Sequence, residues 1–143
     1  MCKIVVLALA SVLGTGAYGK HDLSPSPPPA LPICNVLAKA AEYDGKEITV
    51  RLIYYSTPEG GIGSGSECPH QNVGLRNAPD FKEDQRIRKA WRKIGAYKSV
   101  YLVVRGKFSV CRESNCFVGT YWAPYRIEVR QDLSVQPVRA EPK

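Results

Sequence analysis

Several features are scarce in this chain of 143 residues, and each absence narrows the possible functions. Histidine occurs only twice, and no cluster of Asp and Glu has the spacing of a metal site. No Gly-x-Ser-x-Gly elbow is present. Acidic residues number 13 against 20 Lys and Arg, which gives a net charge of +7. These counts favour a protein without enzymatic activity, cofactor or metal, and with a charge that suits an anionic partner.

The first nineteen residues have the pattern of a secretory signal peptide. Lys3 precedes an apolar run from Ile4 to Leu13, and Ala17 and Gly19 suit the −3 and −1 positions of a cleavage site. Cleavage after Ala17 is the alternative. The run is about half of the ~20 residues that span a bilayer. We therefore expect removal of residues 1–19 and a secreted or periplasmic mature chain without a transmembrane segment.

The rest of the chain divides into a tether, one domain and a tail. Residues 20–32 read KHDLSPSPPPALP, and proline favours an extended, solvated backbone. We interpret this stretch as a tether rather than as a ligand for another domain. Residues 33–138 suffice for one domain, and residues 139–143 form a predicted disordered tail.

Four cysteines remain after cleavage, namely Cys34, Cys68, Cys111 and Cys116. An even number in an exported chain indicates two disulfides, although four cysteines allow three pairings. Cys111 and Cys116 flank a polar turn, and a hairpin there would let them bridge across its strands. Cys34 would then pair with Cys68. Zinc held by Cys68, His70, Cys111 and Cys116 is the alternative, which an oxidising compartment disfavours.

Hydrophobic periodicity predicts a mainly β fold with two helices. Helical spacing covers Ile33–Glu42, and a second helix, capped by Asp80, covers Asp80–Ile94. Alternation predicts strands at Lys46–Tyr55, Ser99–Val110 and Tyr125–Arg130, the last extended by Ser134–Val138. Shorter strands are predicted at Gly60–Cys68, Asn72–Arg76 and Phe117–Tyr121. The order of the main elements is a helix, three strands, a helix and two long strands. A helix between the third and fourth of five strands is the OB-fold order. We predict a five-stranded OB-like Greek-key barrel with an N-terminal helix and a helix between strands 3 and 4.

Several segments resemble those of a known group of proteins. Ile33–Leu37, which holds Cys34, and then Tyr43–Arg51 resemble the cysteine-bearing helix and Tyr-x-Gly-Lys turn of small exported bacterial proteins with an OB-like domain. Similar segments follow at Cys68-Pro69, Val104–Phe108 and Tyr125–Val129. The resemblance covers about residues 33–138 and implies the fold. It implies no activity, because such proteins have no established function and no catalytic residues to transfer.

Two basic surfaces are the candidate binding sites. One is the second helix, with Arg86, Arg88, Lys89, Arg92 and Lys93. The other is the outward face of the strands, with Arg51, Tyr101, Arg105 and Lys107. Cations beside aromatic rings suit an anionic polymer, a nucleic acid or a cell-envelope component. A merely solvated outer face is the alternative interpretation of both.

Two further functions stay open at this point. A small secreted nuclease needs an acid–base pair, and Glu67 with His70 is the pair that the sequence offers. A protein-binding module, inhibitory or structural, would use an aromatic cluster as its anchor. That cluster consists of Tyr121, Trp122 and Tyr125 beside Pro124, and such rings also fill the ends of small barrels.

Overall fold

The computed structural model describes residues 29–58, 60–95, 98–114 and 116–139. The predicted signal peptide, most of the predicted tether and the end of the predicted tail lie outside the described residues. Among the residues that are described, no helix is long and apolar enough to cross a membrane.

Long strands dominate the secondary structure, which is mainly β. A two-residue strand, β1 (Leu31–Pro32), leads into two short helices, α1 (Ile33–Ala38) and α2 (Ala40–Tyr43). A longer helix, α3 (Gln85–Ile94), lies in the middle of the chain. The other strands are β2 (Glu47–Thr57), β3 (Gly60–Gly65), β4 (Cys68–Lys82), β5 (Val100–Val110), β6 (Phe117–Val118), β7 (Tyr121–Trp122) and β8 (Tyr125–Pro137).

Six of these strands form one mixed sheet in the order β1-β2-β3-β4-β8-β5, and β2 also pairs with β5. The pairings therefore lead from β2 through β3, β4, β8 and β5 back to β2. The β1–β2 and β4–β8 pairs are parallel, and the other pairs are antiparallel. β6 and β7 form a separate two-stranded sheet.

The buried face of this sheet carries the core, and the predicted alternation of β2 and β5 is confirmed. Buried side chains at every second position include Val50 and Leu52 on β2 and Leu102 and Val104 on β5. Phe108, Ile127 and the α1 residues Val36 and Leu37 join the same cluster. Burying one such side chain stabilises the fold by about 1.5–3 kcal/mol, so this cluster is the main source of stability.

β3 is rich in glycine because its neighbours occupy the space of side chains. A β-carbon on Gly63 would lie 3.0 Å from methyl carbons of Leu52 and Leu75. One on Gly65 would lie 2.1 Å from the sulfur of Cys34. Glycine in this strand therefore lets the core and a disulfide approach the backbone.

Both predicted disulfides are confirmed, Cys34–Cys68 and Cys111–Cys116. The hairpin predicted for the second pair is wrong, because the loop between Cys111 and Cys116 joins β5 to β6, and these strands pair with other partners. Both cysteines are instead held to the segment before β8, since the amide of Cys111 donates to the carbonyl of Pro124 over 2.7 Å and the amide of Ala123 donates to the carbonyl of Cys116 over 2.6 Å. Two disulfides are typical of proteins in an oxidising compartment.

The predicted helices differ from the observed ones at their boundaries. The first is divided at Lys39 into α1 and α2. The second begins only at Gln85 because β4 runs on to Lys82, which also makes the predicted third strand much longer. Asp84, not Asp80, caps α3, since it accepts a hydrogen bond from the Arg86 amide over 2.7 Å.

Two other segments are also structured differently from their prediction. The end of the predicted tether, Leu31–Pro32, forms β1 and pairs with Val50 and Arg51. The predicted strand Phe117–Tyr121 is divided between β6 and β7, which pair with each other as a small hairpin. The segments predicted as Tyr125–Arg130 and Ser134–Val138 form one continuous strand, β8.

Candidate binding surface

β2 and β5 lie side by side, and their outward side chains share one face. The register pairs Thr49 with Arg105, Arg51 with Val103, and Ile53 with Tyr101. The alternate residues of both strands are buried, so the paired residues point outward. The sheet thus brings together three predicted site residues, Arg51, Tyr101 and Arg105.

These residues form a stripe along the strands. Tyr101 and Arg105 are the two diagonal neighbours of Arg51, and Tyr55 is diagonal to Tyr101 at the end of β2. Diagonal neighbours lie about 7–8 Å apart, within reach of long side chains. Tyr55 and Tyr101 are each 43% exposed. We call Tyr55, Tyr101, Arg51 and Arg105 the Tyr–Arg stripe.

The two arginines of the stripe lack acidic partners. Within the described part of the chain, no ion pair includes either guanidinium. The cross-strand neighbours of Arg105, Thr49 and Gln131, are uncharged. Those of Arg51, which are Val103 and Pro32, are uncharged too. No carboxylate lies directly opposite either arginine. Glu47 is diagonal to Arg105, but its carboxylate lies 3.4 Å from the guanidinium of Arg130, so both stripe arginines are available to an anionic ligand.

Lys107 was predicted with this group but lies in a different charge environment. Its partners in the register are Glu47 on β2 and Glu128 on β8. Opposite charges on facing positions of neighbouring strands attract each other. We therefore leave Lys107 out of the stripe.

Two of the five predicted cations of α3 form ion pairs with nearby carboxylates. The Arg86 guanidinium lies 3.0 Å from the Asp84 carboxylate, and Arg88 forms an ion pair with Glu83. The hydrogen bond from Arg88 also lowers the pKa of Glu83. Lys89, Arg92 and Lys93 are exposed. α3 packs against β8, whereas the stripe lies on β2 and β5, so the predicted residues form two surfaces on different elements.

The aromatic cluster is divided between surface and core. Trp122 is 50% exposed and Tyr121 48% exposed, and the Trp122 ring meets that of Phe117 edge to face at 5.2 Å. The idea that these rings fill a barrel end is therefore wrong for Tyr121 and Trp122. Tyr125 does pack on the core, stacked on Phe108 at 5.9 Å. Phe117, which the predicted cluster does not include, is 48% exposed as well.

Neither metal chemistry nor acid–base chemistry gains support at Glu67 and His70. Both side chains are exposed, and the described residues contain no group of three or more His, Cys, Asp or Glu that could hold a metal. The three cysteines that the zinc alternative needs are all in disulfides, Cys68 with Cys34 and Cys111 with Cys116.

A cleft that the sequence did not predict lies beside α3. Its volume is about 480 Å³, and it is lined by Tyr54, Trp91 and Asp132 over a floor of Leu75, Leu102 and Val129. The Trp91 indole donates to the Asp132 carboxylate over 3.4 Å. Burial raises the pKa of the Asp132 carboxyl, and the charge of Glu83 adds to this. Burial raises the pKa of Tyr54 as well.

Fold and disulfides together define a mainly β, disulfide-bonded domain with one mixed sheet. Comparison of the chain with family models, curated proteins and solved structures finds no match. Its function must therefore be inferred from the surfaces described above.

Proposed function

We propose that this chain is an exported OB-like binding module that holds single-stranded nucleic acid on the Tyr–Arg stripe. Three features support the OB-like architecture: the return of the strand pairings to β2, the parallel β4–β8 pair, and the position of α3 between β4 and β5. The resemblance to small exported bacterial proteins implies the same fold. The two disulfides support export.

The observation that carries the ligand assignment is the presence on one face of exposed tyrosines beside arginines that form no ion pair with any described residue. Arginine binds phosphate through two parallel hydrogen bonds, which gives both affinity and orientation. A tyrosine ring stacks on any base and contributes about 1–3 kcal/mol per base. A duplex keeps its bases stacked inside, so the single strand is the form that can use Tyr55 and Tyr101.

Fluorescence anisotropy with a labelled oligothymidylate tests the arginines. The double variant Arg51→Ala/Arg105→Ala should weaken binding about tenfold or more. Its plot of log affinity against log salt should be shallower by about 1.4, because each lost phosphate contact contributes roughly 0.7. The matched control is Arg86→Ala/Arg88→Ala, which removes the same charge from ion-paired residues and should change affinity little. If the control loses more affinity than Arg51→Ala/Arg105→Ala, the binding site lies on α3 and not on the stripe.

A second arm tests the aromatic contribution. Tyr101→Ala should weaken binding by about 5- to 150-fold, as expected for the loss of one stacked base. Tyr121→Ala, which removes a similarly exposed ring from β7, is the control. Polygalacturonate and duplex DNA serve as competitors. No affinity at low salt would contradict the proposal, and tight polygalacturonate binding that ignores Tyr101 would assign the stripe to acidic polysaccharide.

A protein-binding role is the second candidate, because three exposed rings lie close together on the β6–β7 hairpin. Phe117, Tyr121 and Trp122 are each about half exposed, and exposed aromatic rings often anchor protein interfaces. If a second copy is the partner, Phe117→Ser/Trp122→Ser should lower the sedimentation coefficient at high protein concentration. The same variant should bind oligothymidylate normally.

A further inference from the structure

We propose that the cleft beside α3 binds a small organic ammonium ion through Asp132, Trp91 and Tyr54. The residues of this site do not include those of the Tyr–Arg stripe, so the inference stands independently of the proposed nucleic-acid ligand.

Asp132 has hydrogen-bonding capacity that its neighbours do not fill. Its carboxylate is partly buried and accepts, from the described residues, one long hydrogen bond, which the Trp91 indole donates over 3.4 Å. No ion pair within the described ranges includes Asp132. A carboxylate can accept about four hydrogen bonds, and a partly buried charge without a counter-ion is costly. An ammonium group would supply both the missing donors and the missing charge.

Two aromatic rings lie beside that carboxylate. Tyr54 and Trp91 meet edge to face, with ring centroids 5.6 Å apart and planes at 73°. Both rings line the cleft, and Trp91 also contacts Asp132 through its indole. A cation within about 6 Å of such a ring is attracted by its negative face, most strongly by tryptophan. The two rings and the carboxylate therefore all favour a positively charged ligand.

The cleft has the size and the apolar surface that a small organic ammonium ion needs. Its volume of about 480 Å³ lies within the ~300–1,000 Å³ typical of small-molecule sites. The buried side chains of Leu75, Leu102 and Val129 form an apolar floor that suits the alkyl part of an amine. Arg76 also lines the cleft, but its guanidinium lies 3.3 Å from Glu128 and is largely exposed. Its charge is thus balanced by a carboxylate outside the site.

NMR titration of the Trp91 indole N–H tests the proposal directly. The chain has two tryptophans, so Trp122→Phe leaves Trp91 as the only indole. The probes are tert-butylammonium and tert-butanol, which share a shape and differ in charge. We expect a saturable shift of the Trp91 signal with tert-butylammonium and at least tenfold weaker binding of tert-butanol. Equal binding of the two probes, or no saturable shift with either, would overturn the proposal.

Variants in the Trp122→Phe background assign the binding to the cleft. Asp132→Asn should weaken tert-butylammonium binding about tenfold or more, as for the loss of a charge-assisted hydrogen bond. Tyr54→Leu should weaken it several-fold. Glu113→Gln, an equal charge change in the exposed loop of the second disulfide, should have no effect. Unchanged affinity in Asp132→Asn, or saturable binding of glucose instead of the amine, would refute the ammonium site.

Discussion

Tyr54 packs against the backbone of Gly61 so closely that a β-carbon on Gly61 would lie 2.3 Å from Cε2 of the ring. The ring therefore occupies the space that any other residue at position 61 would fill. Because Tyr54 also meets Trp91 at the cleft, this glycine sets the position of one wall of the proposed ammonium site.

Gly61→Ala should consequently displace the Tyr54 ring. We expect a loss of about 1–3 kcal/mol in the free energy of unfolding, which is typical of overpacking, and weaker tert-butylammonium binding. A double-mutant cycle with Tyr54→Ala, followed by urea denaturation, separates the ring clash from any backbone effect. If Gly61→Ala lowers the free energy of unfolding as much in the Tyr54→Ala background as in the parent protein, the clash with the ring is not the cause.

Asp132→Asn should stabilise the protein at neutral pH. Burial raises the pKa of the Asp132 carboxyl above its unfolded value, and Glu83 adds to this, so ionisation costs the folded state free energy above the folded pKa. That cost disappears below the unfolded pKa, near 3.8. Thermal unfolding between pH 3 and pH 8 should show an advantage of the variant that shrinks as the pH falls. An advantage independent of pH would exclude ionisation as its source.

Asp44→Asn should have the opposite effect. Asp44 accepts a hydrogen bond from the Val110 amide over 3.0 Å and forms an ion pair with Arg112; these contacts lower its pKa, the Val110 bond most strongly. A lowered pKa stabilises the folded state above the unfolded value and loses that effect as the pH falls through the folded one. The variant should therefore melt at lower temperature at pH 7 and converge with the parent in acid.

Arg112→Gln provides the comparison for this prediction. It removes one cause of the lowered Asp44 pKa and leaves the Val110 hydrogen bond in place. Its loss of thermal stability at pH 7 should be smaller than that of Asp44→Asn. If the melting temperatures of Asp44→Asn and the parent differ by the same amount at every pH, the charge of Asp44 does not account for the loss of stability.

The two disulfides should contribute unequally to stability. They close loops with sequence separations of 34 and 5 residues, and the chain-entropy model assigns these loops about 4 and about 2 kcal/mol. Cys34→Ala/Cys68→Ala should therefore lower the free energy of unfolding in urea about twice as much as Cys111→Ala/Cys116→Ala. An equal loss from both pairs would mean that packing, not loop closure, decides the contribution.

The sequence was informative wherever periodicity was strong. β2 and β5 alternate so regularly that their buried and outward faces could be assigned residue by residue. The start of α3 was placed too early because Asp80 and Glu83 have the spacing of a capping box. In the structure β4 continues through this segment, and Asp80 instead lies 2.7 Å from Arg130 on β8. That contact joins residues 50 positions apart, which local patterns do not encode.

The residues of the candidate sites also differ in whether the sequence could predict them. Arg51, Tyr101 and Arg105 could be assigned to one outward face because each occupies the polar phase of an alternating strand. Which cations lie opposite carboxylates depended on the strand register, so the exclusion of Lys107 required the structure. No sequence pattern identified Asp132 as a site residue. Its surroundings are formed by Trp91 of α3 and Tyr54 of β2, and these two residues come together only when the chain folds.

The position of β8 between β4 and β5 has a consequence for how the molecule folds. The last long strand supplies the link between these two strands, so the ring of pairings cannot close until residues 125–137 have left the ribosome. Such distant pairings favour slow folding after synthesis rather than during it. Until β8 is made, one edge of β4 and one edge of β5 lack their strand partner.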